Sequence, residues 1–210
     1  MKRAAAYDYG EYERLARDPR TRRALAALNR ACGSARVRYA VVGGYAAYLH
    51  THNPPTDFPD IDVLLYADGR EARAVVERLA RTPGFNLLFA EVGDGAMFST
   101  FEYDGAIQID VFTSTDERVP RATRRIRNVS VEPVEPLIVE KLIRGTRSDV
   151  LMALDLLAYT DYDRRLLSEL GRQYRMSGML HTAAYFARRM AVGRLSKAGL
   201  ESVAKRLTTA

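Results

Sequence analysis

Three carboxylates and two glycines carry the reactive chemistry that this sequence offers. Asp60 and Asp62 stand two positions apart in Asp60-Ile61-Asp62-Val63-Leu64. On a strand, residues i and i+2 face the same way, so the two carboxylates lie side by side. Such a pair is costly unless a cation sits between them. Asp110 occupies the middle of an alternating run, Ile107-Gln108-Ile109-Asp110-Val111-Phe112. A strand there, laid beside the first, brings a third carboxylate to the pair. Upstream, Val41-Val42-Gly43-Gly44 ends an apolar, β-branched run and opens a helical segment from Tyr45 to His50. Two glycines between strand and helix let the backbone approach a ligand closely, and the free N–H groups at the helix start favour an anion such as phosphate. A phosphate cradle beside a paired-carboxylate cation site is what metal-assisted phosphoryl transfer requires.

The elements that must position these groups are readable from pattern. Tyr7 to Arg17 and Pro19 to Cys32 read as helices, broken at Asp18-Pro19, where Asp18 can cap and Pro19 takes the first helical position. Val37 to Val42 reads as the strand before the glycines. Thr51 to Pro59 holds three prolines and an asparagine and reads as a loop, flanked by His50 and His52. A rim role suits these histidines better than metal binding, because hard cations prefer oxygen. Asp68 to Arg81 is an amphipathic helix with Ala72, Val75, Val76 and Leu79 on one face. Phe85 to Ala90 and Met97 to Tyr103 are strands, Asp104-Gly105 is a hairpin turn, and Thr123 to Val131 is one more strand, studded with arginines. From Glu135 on, only helices follow: Pro136 to Arg144, Ser148 to Tyr159, Asp163 to Arg175, Gly178 to Val192 and Ser196 to Leu207. The expected architecture is α+β (α/β): a small mixed β-sheet flanked by helices in residues 1–132, then an all-helical C-terminal lobe in residues 133–210.

Composition sets the bounds. A chain of 210 residues, 47% hydrophobic, can bury a real core in one domain or two small lobes. No run of about 18 apolar residues occurs, so no membrane span is expected. The N-terminus lacks a sustained apolar core and reads as no signal peptide. Cys32 is the single cysteine, which excludes an intrachain disulfide and suits a cytoplasmic home; it reads as a buried filler. The formal charge is +6, and only four of the 32 basic residues are lysines: Lys2, Lys141, Lys197 and Lys205. A net positive charge permits an acidic partner such as RNA or a nucleotide. Arg121, Arg124, Arg125 and Arg127 are open to two readings, a solvated face or contacts to an acceptor's phosphates.

Taken in order, Gly43-Gly44, Asp60-Ile61-Asp62 and Asp110 resemble the nucleotidyltransferase superfamily related to DNA polymerase β, and within it the stand-alone bacterial branch that includes AbiEii/MenT-type toxins. Its pattern is a hydrophobic strand, Gly-Gly or Gly-Ser, a helix, Asp-x-Asp, then one more strand-borne Asp. In that branch a later segment reads Lys-Leu, a few residues, Arg, one residue, Asp, and then an apolar helix. Lys141, Arg147 and Asp149 match it. The motifs span residues 37 to 160. The sequence departs from the pattern at Phe58, where the family has Thr or Ser, and in lacking an Arg in the loop before Asp60.

The resemblance implies a Mg²⁺-dependent enzyme that moves an NMP from an NTP to an acceptor hydroxyl, with two ions about 3.5–4 Å apart and Mn²⁺ as a substitute. It implies that Gly43 and Gly44 hold the triphosphate, that Asp60 and Asp62 bind metals, and that Asp110 holds the catalytic metal or accepts the proton. Lys141 is then a mobile point charge for the phosphates, with Asp149, or Asp155 further along, orienting it or the attacking group, or capping a helix. The acceptor is a tRNA 3′ end or other RNA if the toxin-like resemblance extends that far, and a cognate antitoxin is then a partner. AMP transfer to a protein or antibiotic, and a non-catalytic nucleotide- or RNA-binding relative, stay open. So does an ordinary helix-turn-helix for Leu137 to Asp149.

Overall fold

Register, more than any single element, arranges this chain. The computed structural model describes residues 17–51, 60–93, 96–113, 123–126 and 128–208. In chain order these form α1 (Pro19–Ala35), β1 (Arg38–Val41), α2 (Gly43–Thr51), β2 (Asp60–Tyr66), α3 (Gly69–Ala80), β3 (Phe85–Gly93), β4 (Ala96–Tyr103), β5 (Ile107–Thr113), β6 (Arg124–Ile126) and β7 (Val129–Val131). Helices follow: α4 (Val134–Arg144), α5 (Arg147–Tyr159), α6 (Arg164–Gln173), α7 (Ser177–Ala191) and α8 (Lys197–Thr208). The seven strands make one sheet in the order β3-β4-β5-β2-β1-β7-β6. It is mixed: β2 runs parallel to β5 and β1 parallel to β7, and the other neighbours are antiparallel. The expected mixed sheet with flanking helices is what the chain forms.

The two faces of the sheet differ because strand side chains alternate. Tyr39 and Val41, then Ile61, Val63 and Leu65, then Ile109 and Val111, enter the main core. The helices lie on that face. The amphipathic stripe of α3, Ala72, Val75, Val76 and Leu79, is buried there, and a capping box of Asp68 and Glu71 fixes its start. The opposite face carries Asp60, Asp62 and Asp110 together with a small apolar cluster of Ala40, Val42 and Leu64, against which Tyr66 and Phe112 pack. Leu137 and Ile138 of α4, Leu151 and Leu154 of α5, Ala183 of α7 and Val203 of α8 belong to the same core cluster as the sheet.

Several local readings hold at the level of mechanism. The Asp18 side chain accepts the Arg20 N–H at 2.8 Å and Pro19 opens α1. Cys32 is buried, and burial pushes its thiol up to about 12, which makes it inert. The strand expected over Thr123 to Val131 is instead a hairpin, β6 and β7, because Asn128 takes a φ of 67° and reverses the chain. Asparagine tolerates that left-handed conformation better than most residues. Residues 7–16 of the helix expected over Tyr7 to Arg17, the loop residues 52–59, and Arg121 and Arg127 lie outside the described residues.

The shared core predicts joint unfolding. Leu137 is fully buried, so Leu137→Ala should cost about 2–5 kcal/mol. Denaturant unfolding followed by far-UV and near-UV circular dichroism should still give one coincident transition; two separate transitions would mean that sheet and helices have independent cores.

Candidate functional site

The parallel pairing of β2 and β5 sets Asp62 directly opposite Asp110, with Asp60 opposite Gln108. Each of Asp60, Asp62 and Asp110 offers a carboxylate oxygen, and these oxygens lie within 4.8 Å of one another. Gln108 adds an amide contact to Asp110 at 3.2 Å.

Gly43 is needed for a reason beyond ligand access. Its φ is +66°, and a Cβ there would stand 2.0 Å from Oδ2 of Asp62. The Asp62 carboxylate therefore lies on the bare Cα of Gly43. Val42 N–H donates to the Asp62 carbonyl at 2.9 Å, fastening the turn to β2. Gly44 follows, buried in the first turn of α2. The phosphate-cradle candidate and the carboxylates are thus in direct contact.

Electrostatics follow from this crowding. The Asp62 carboxyl is pushed from 3.8 up to about 7, chiefly by burial and then by Asp60. Lys141 opposes the shift, and Asp110 and Glu140 add to it. A divalent cation would remove the penalty. An all-oxygen set at this separation fits a hard ion such as Mg²⁺ or Mn²⁺, and nothing in it favours a soft one.

Lys141 is held and not mobile. It is buried, and its ammonium donates to Oδ1 of Asp149 at 2.8 Å. Oδ2 of Asp149 accepts the Thr146 hydroxyl at 2.6 Å and lies 3.5 Å from the Arg144 guanidinium. Of the roles expected for Asp149, orienting Lys141 is the one this geometry performs. Asp155 is fully buried further along α5. Arg147 pairs with Glu201 of α8 and so braces the helices. Arg124 and Arg125 sit on β6, at the sheet edge four strands from Asp110. The His50 Nε2–H donates a hydrogen bond to the Glu132 carbonyl at 2.8 Å; His52 lies outside the described residues.

Glu132 is the residue that sequence reasoning missed. Read as part of a lobe boundary, it is 3% exposed, and its Oε2 is buried without a hydrogen-bond partner among the described residues. Its N–H donates to Val41 at 3.0 Å, which extends the β1–β7 pairing by one residue. That register puts Glu132, Val42, Asp62 and Asp110 in one row across the open face. Burial, then Glu140, hold its carboxyl well above the usual range, against the pull of Lys141. A lone acid directly after a β-branched strand and before Pro133 was the available signal.

No protein-family model matches the sequence, and no curated protein sequence matches it either. Similar solved structures include an antigenic nucleotidyltransferase-like protein from Paracoccidioides brasiliensis, at 16% identity and a TM-score of 0.47, covering 77% of this chain and 91% of that one. JHP933 from Helicobacter pylori is similar at 15% identity and a TM-score of 0.47, over 89% of this chain and 92% of that one. The antibiotic-resistance factor ANT(2'')-Ia is similar at 15% identity and a TM-score of 0.41, over 89% and 90%.

Two measurements test this site. A carboxyl with a raised folded pKa keeps its proton more tightly in the folded chain, so the ion-free fold loses stability as pH climbs from 3.8 towards about 7. Glu132 and Glu140 shift in the same direction. Melting without divalent ions should fall across that window, Asp62→Asn should flatten the fall, and Mg²⁺ should raise Tm more at pH 8 than at pH 5. An equal Mg²⁺ effect at both pH values would place the ion elsewhere. Separately, Gly43→Ala should abolish the Mg²⁺ stabilisation, since its Cβ displaces the Asp62 carboxylate; an unchanged Mg²⁺ response would show that the contact is dispensable.

Proposed function

We propose that this chain is a Mg²⁺-dependent nucleotidyltransferase, moving a nucleoside monophosphate from an NTP to the hydroxyl of an RNA 3′ end. The observation that carries the proposal is the contact between the glycine turn and the carboxylate triad: Gly43 at the start of α2 rests on Asp62, which stands beside Asp60 and Asp110. A turn able to receive phosphates and a site able to receive cations are then one structure. When bound, the ion neutralises the triphosphate and lowers the pKa of the attacking hydroxyl. Asp60 and Asp62 hold it and Asp110 takes the proton of the acceptor hydroxyl. The acceptor oxygen bonds to the α-phosphorus as the bond to pyrophosphate breaks, and N–H groups at Gly43 and Gly44 steady the departing phosphates. Lys141, fixed by Asp149, holds its ammonium where it opposes the raised pKa of Asp62. The motif order shared with AbiEii/MenT-type enzymes supports a finer reading: a toxin acting on a tRNA 3′ end and restrained by a cognate antitoxin.

The test is Mg²⁺-dependent incorporation of labelled NTP with and without tRNA. Asp62→Asn should abolish incorporation in all cases. Lys141→Ala leaves the buried Asp149 with only the half-exposed Arg144 as a cation, so it should destabilise the fold by up to about 3–5 kcal/mol. Assayed well below its Tm, it should cut turnover on the order of 10²–10³ while NTP affinity changes far less. Lys141→Arg should recover only part. If affinity falls as much as turnover, Lys141 acts in binding alone. If no NTP is consumed with any acceptor, the chain is a binding protein.

A further inference from the structure

Beyond Asp110 the open face of the sheet continues over β4 and β5 to the edge strand β3, and there it changes character. Thr100 is the register partner of Asp110, and Phe89 of Thr100, so Phe89 ends the row that begins at Asp62. In the next row Phe112 pairs with Phe98, and Phe98 with Glu91. Phe98 and Phe89 are 39% and 49% exposed, with ring centroids 6.1 Å apart. Three phenylalanines thus form a platform beside the third carboxylate. A cleft of about 640 Å³ lies over Phe98 and Phe112, lined also by Asp62, Glu91, Met97 and Arg144.

On the transferase reading above, the contents of this cleft follow from direction. The phosphates anchor at Gly43 and Gly44, on the β1 side of Asp62. The attacking oxygen must enter roughly in line with the leaving pyrophosphate, from the opposite side of the phosphorus. From β1 through β2 and β5, that side is β4 and β3. The cleft is therefore on the acceptor side. Its chemistry narrows the acceptor. With Asp62 committed to a cation, Glu91 and Arg144 are the remaining charges among the described lining residues, and they balance. A polycationic acceptor needs several carboxylates, and beyond Asp62 the described lining offers one, Glu91. A planar base finds exposed rings, since every base has a π-face and sheet-borne aromatics hold single-stranded RNA by stacking. Arg144, with a side chain 55% exposed, offers a cation on the wall for a backbone phosphate.

We infer that the cleft over Phe98 and Phe112 binds the 3′-terminal nucleoside of the RNA acceptor, its base stacked on these two rings. Phe98 and Phe112 are positioning and specificity residues: they hold the base so that the terminal hydroxyl meets Asp110.

The chain contains no tryptophan, so Phe98→Trp places a single reporter on the platform. A short single-stranded RNA with a free 3′ hydroxyl should quench its emission, and Phe112→Leu, which keeps apolar volume, should weaken that binding. Loss of one stacked aromatic corresponds to roughly 5- to 150-fold in affinity. In the transfer assay Phe98→Ala should raise KM for RNA by a similar factor and leave KM for NTP and the Mg²⁺ shift in Tm unchanged, while Phe98→Tyr should restore it. Quenching by free NTP in place of RNA would make this the donor's base site and overturn the inference. So would quenching by an aminoglycoside alone, or transfer to RNA with an unaltered KM in Phe98→Ala. Quenching by RNA without transfer to any acceptor would sink the proposed reaction and still support the cleft as a base-binding site.

Discussion

Like charges held together organise this molecule. Asp60, Asp62 and Asp110 would separate in a flexible chain, because carboxylates this close repel and burial raises the cost further. Strand pairing prevents the separation. Asp62 and Asp110 are fixed by the parallel register of β2 and β5, and Asp62 is also closed against the bare Cα of Gly43. The fold thus stores an electrostatic demand, and a divalent cation is the simplest group that answers it. Gly43, the hydrogen bond from Val42 to Asp62, and the seven-strand register all serve this one constraint.

Lys141 is the protein's own partial answer. Its buried ammonium pairs with Asp149, and its charge opposes the raised protonation of Asp62 and Glu132. One buried ammonium does not neutralise the acids around it, so Asp62 and Glu132 keep raised pKa values. This differs from a lysine that sweeps out to meet phosphate. An ion pair in a desolvated setting is strongly coupled to its surroundings and loses much if one partner goes. The pair ties α4 to the start of α5, so the helical half of the chain is held in place by the same charges that face the sheet's carboxylates.

What was legible in the sequence is what depends on short spacing. Asp60 and Asp62 share a face because i and i+2 must do so on a strand, and the Asp18-Pro19 helix start and the α3 stripe followed in the same way. The convergence of Asp110 was legible only through the motif order, because pairing across some fifty positions is a tertiary fact with no local signature. The Thr123 to Val131 segment misled because a β-rich run reads as one strand until Asn128 takes a positive φ. Glu132 escaped because an acid after a strand resembles a turn residue, and only the β1–β7 register shows it entering the row of carboxylates. The contact of Gly43 with Asp62 was equally out of reach, since sequence gives the glycine and not the neighbour that requires it.

The sheet therefore has three zones on one face, and their order has a chemical logic. Glu132 and the glycine turn lie on one side, the carboxylate triad in the centre, and the aromatic platform on the other. A reaction that breaks a bond towards one side and forms one from the other needs this polarity, with anion contacts behind the centre and acceptor contacts ahead of it. Alternation provides it cheaply: the residues between these, Ile61, Val63, Ile109 and Val111, point the other way and build the core. The two-residue period of the strand thus gives the main core one face and the triad the other, beside the small buried cluster of Ala40, Val42 and Leu64. Only at exposed positions of that face, such as Phe89 and Phe98, does substitution alter what is bound without entering the packing.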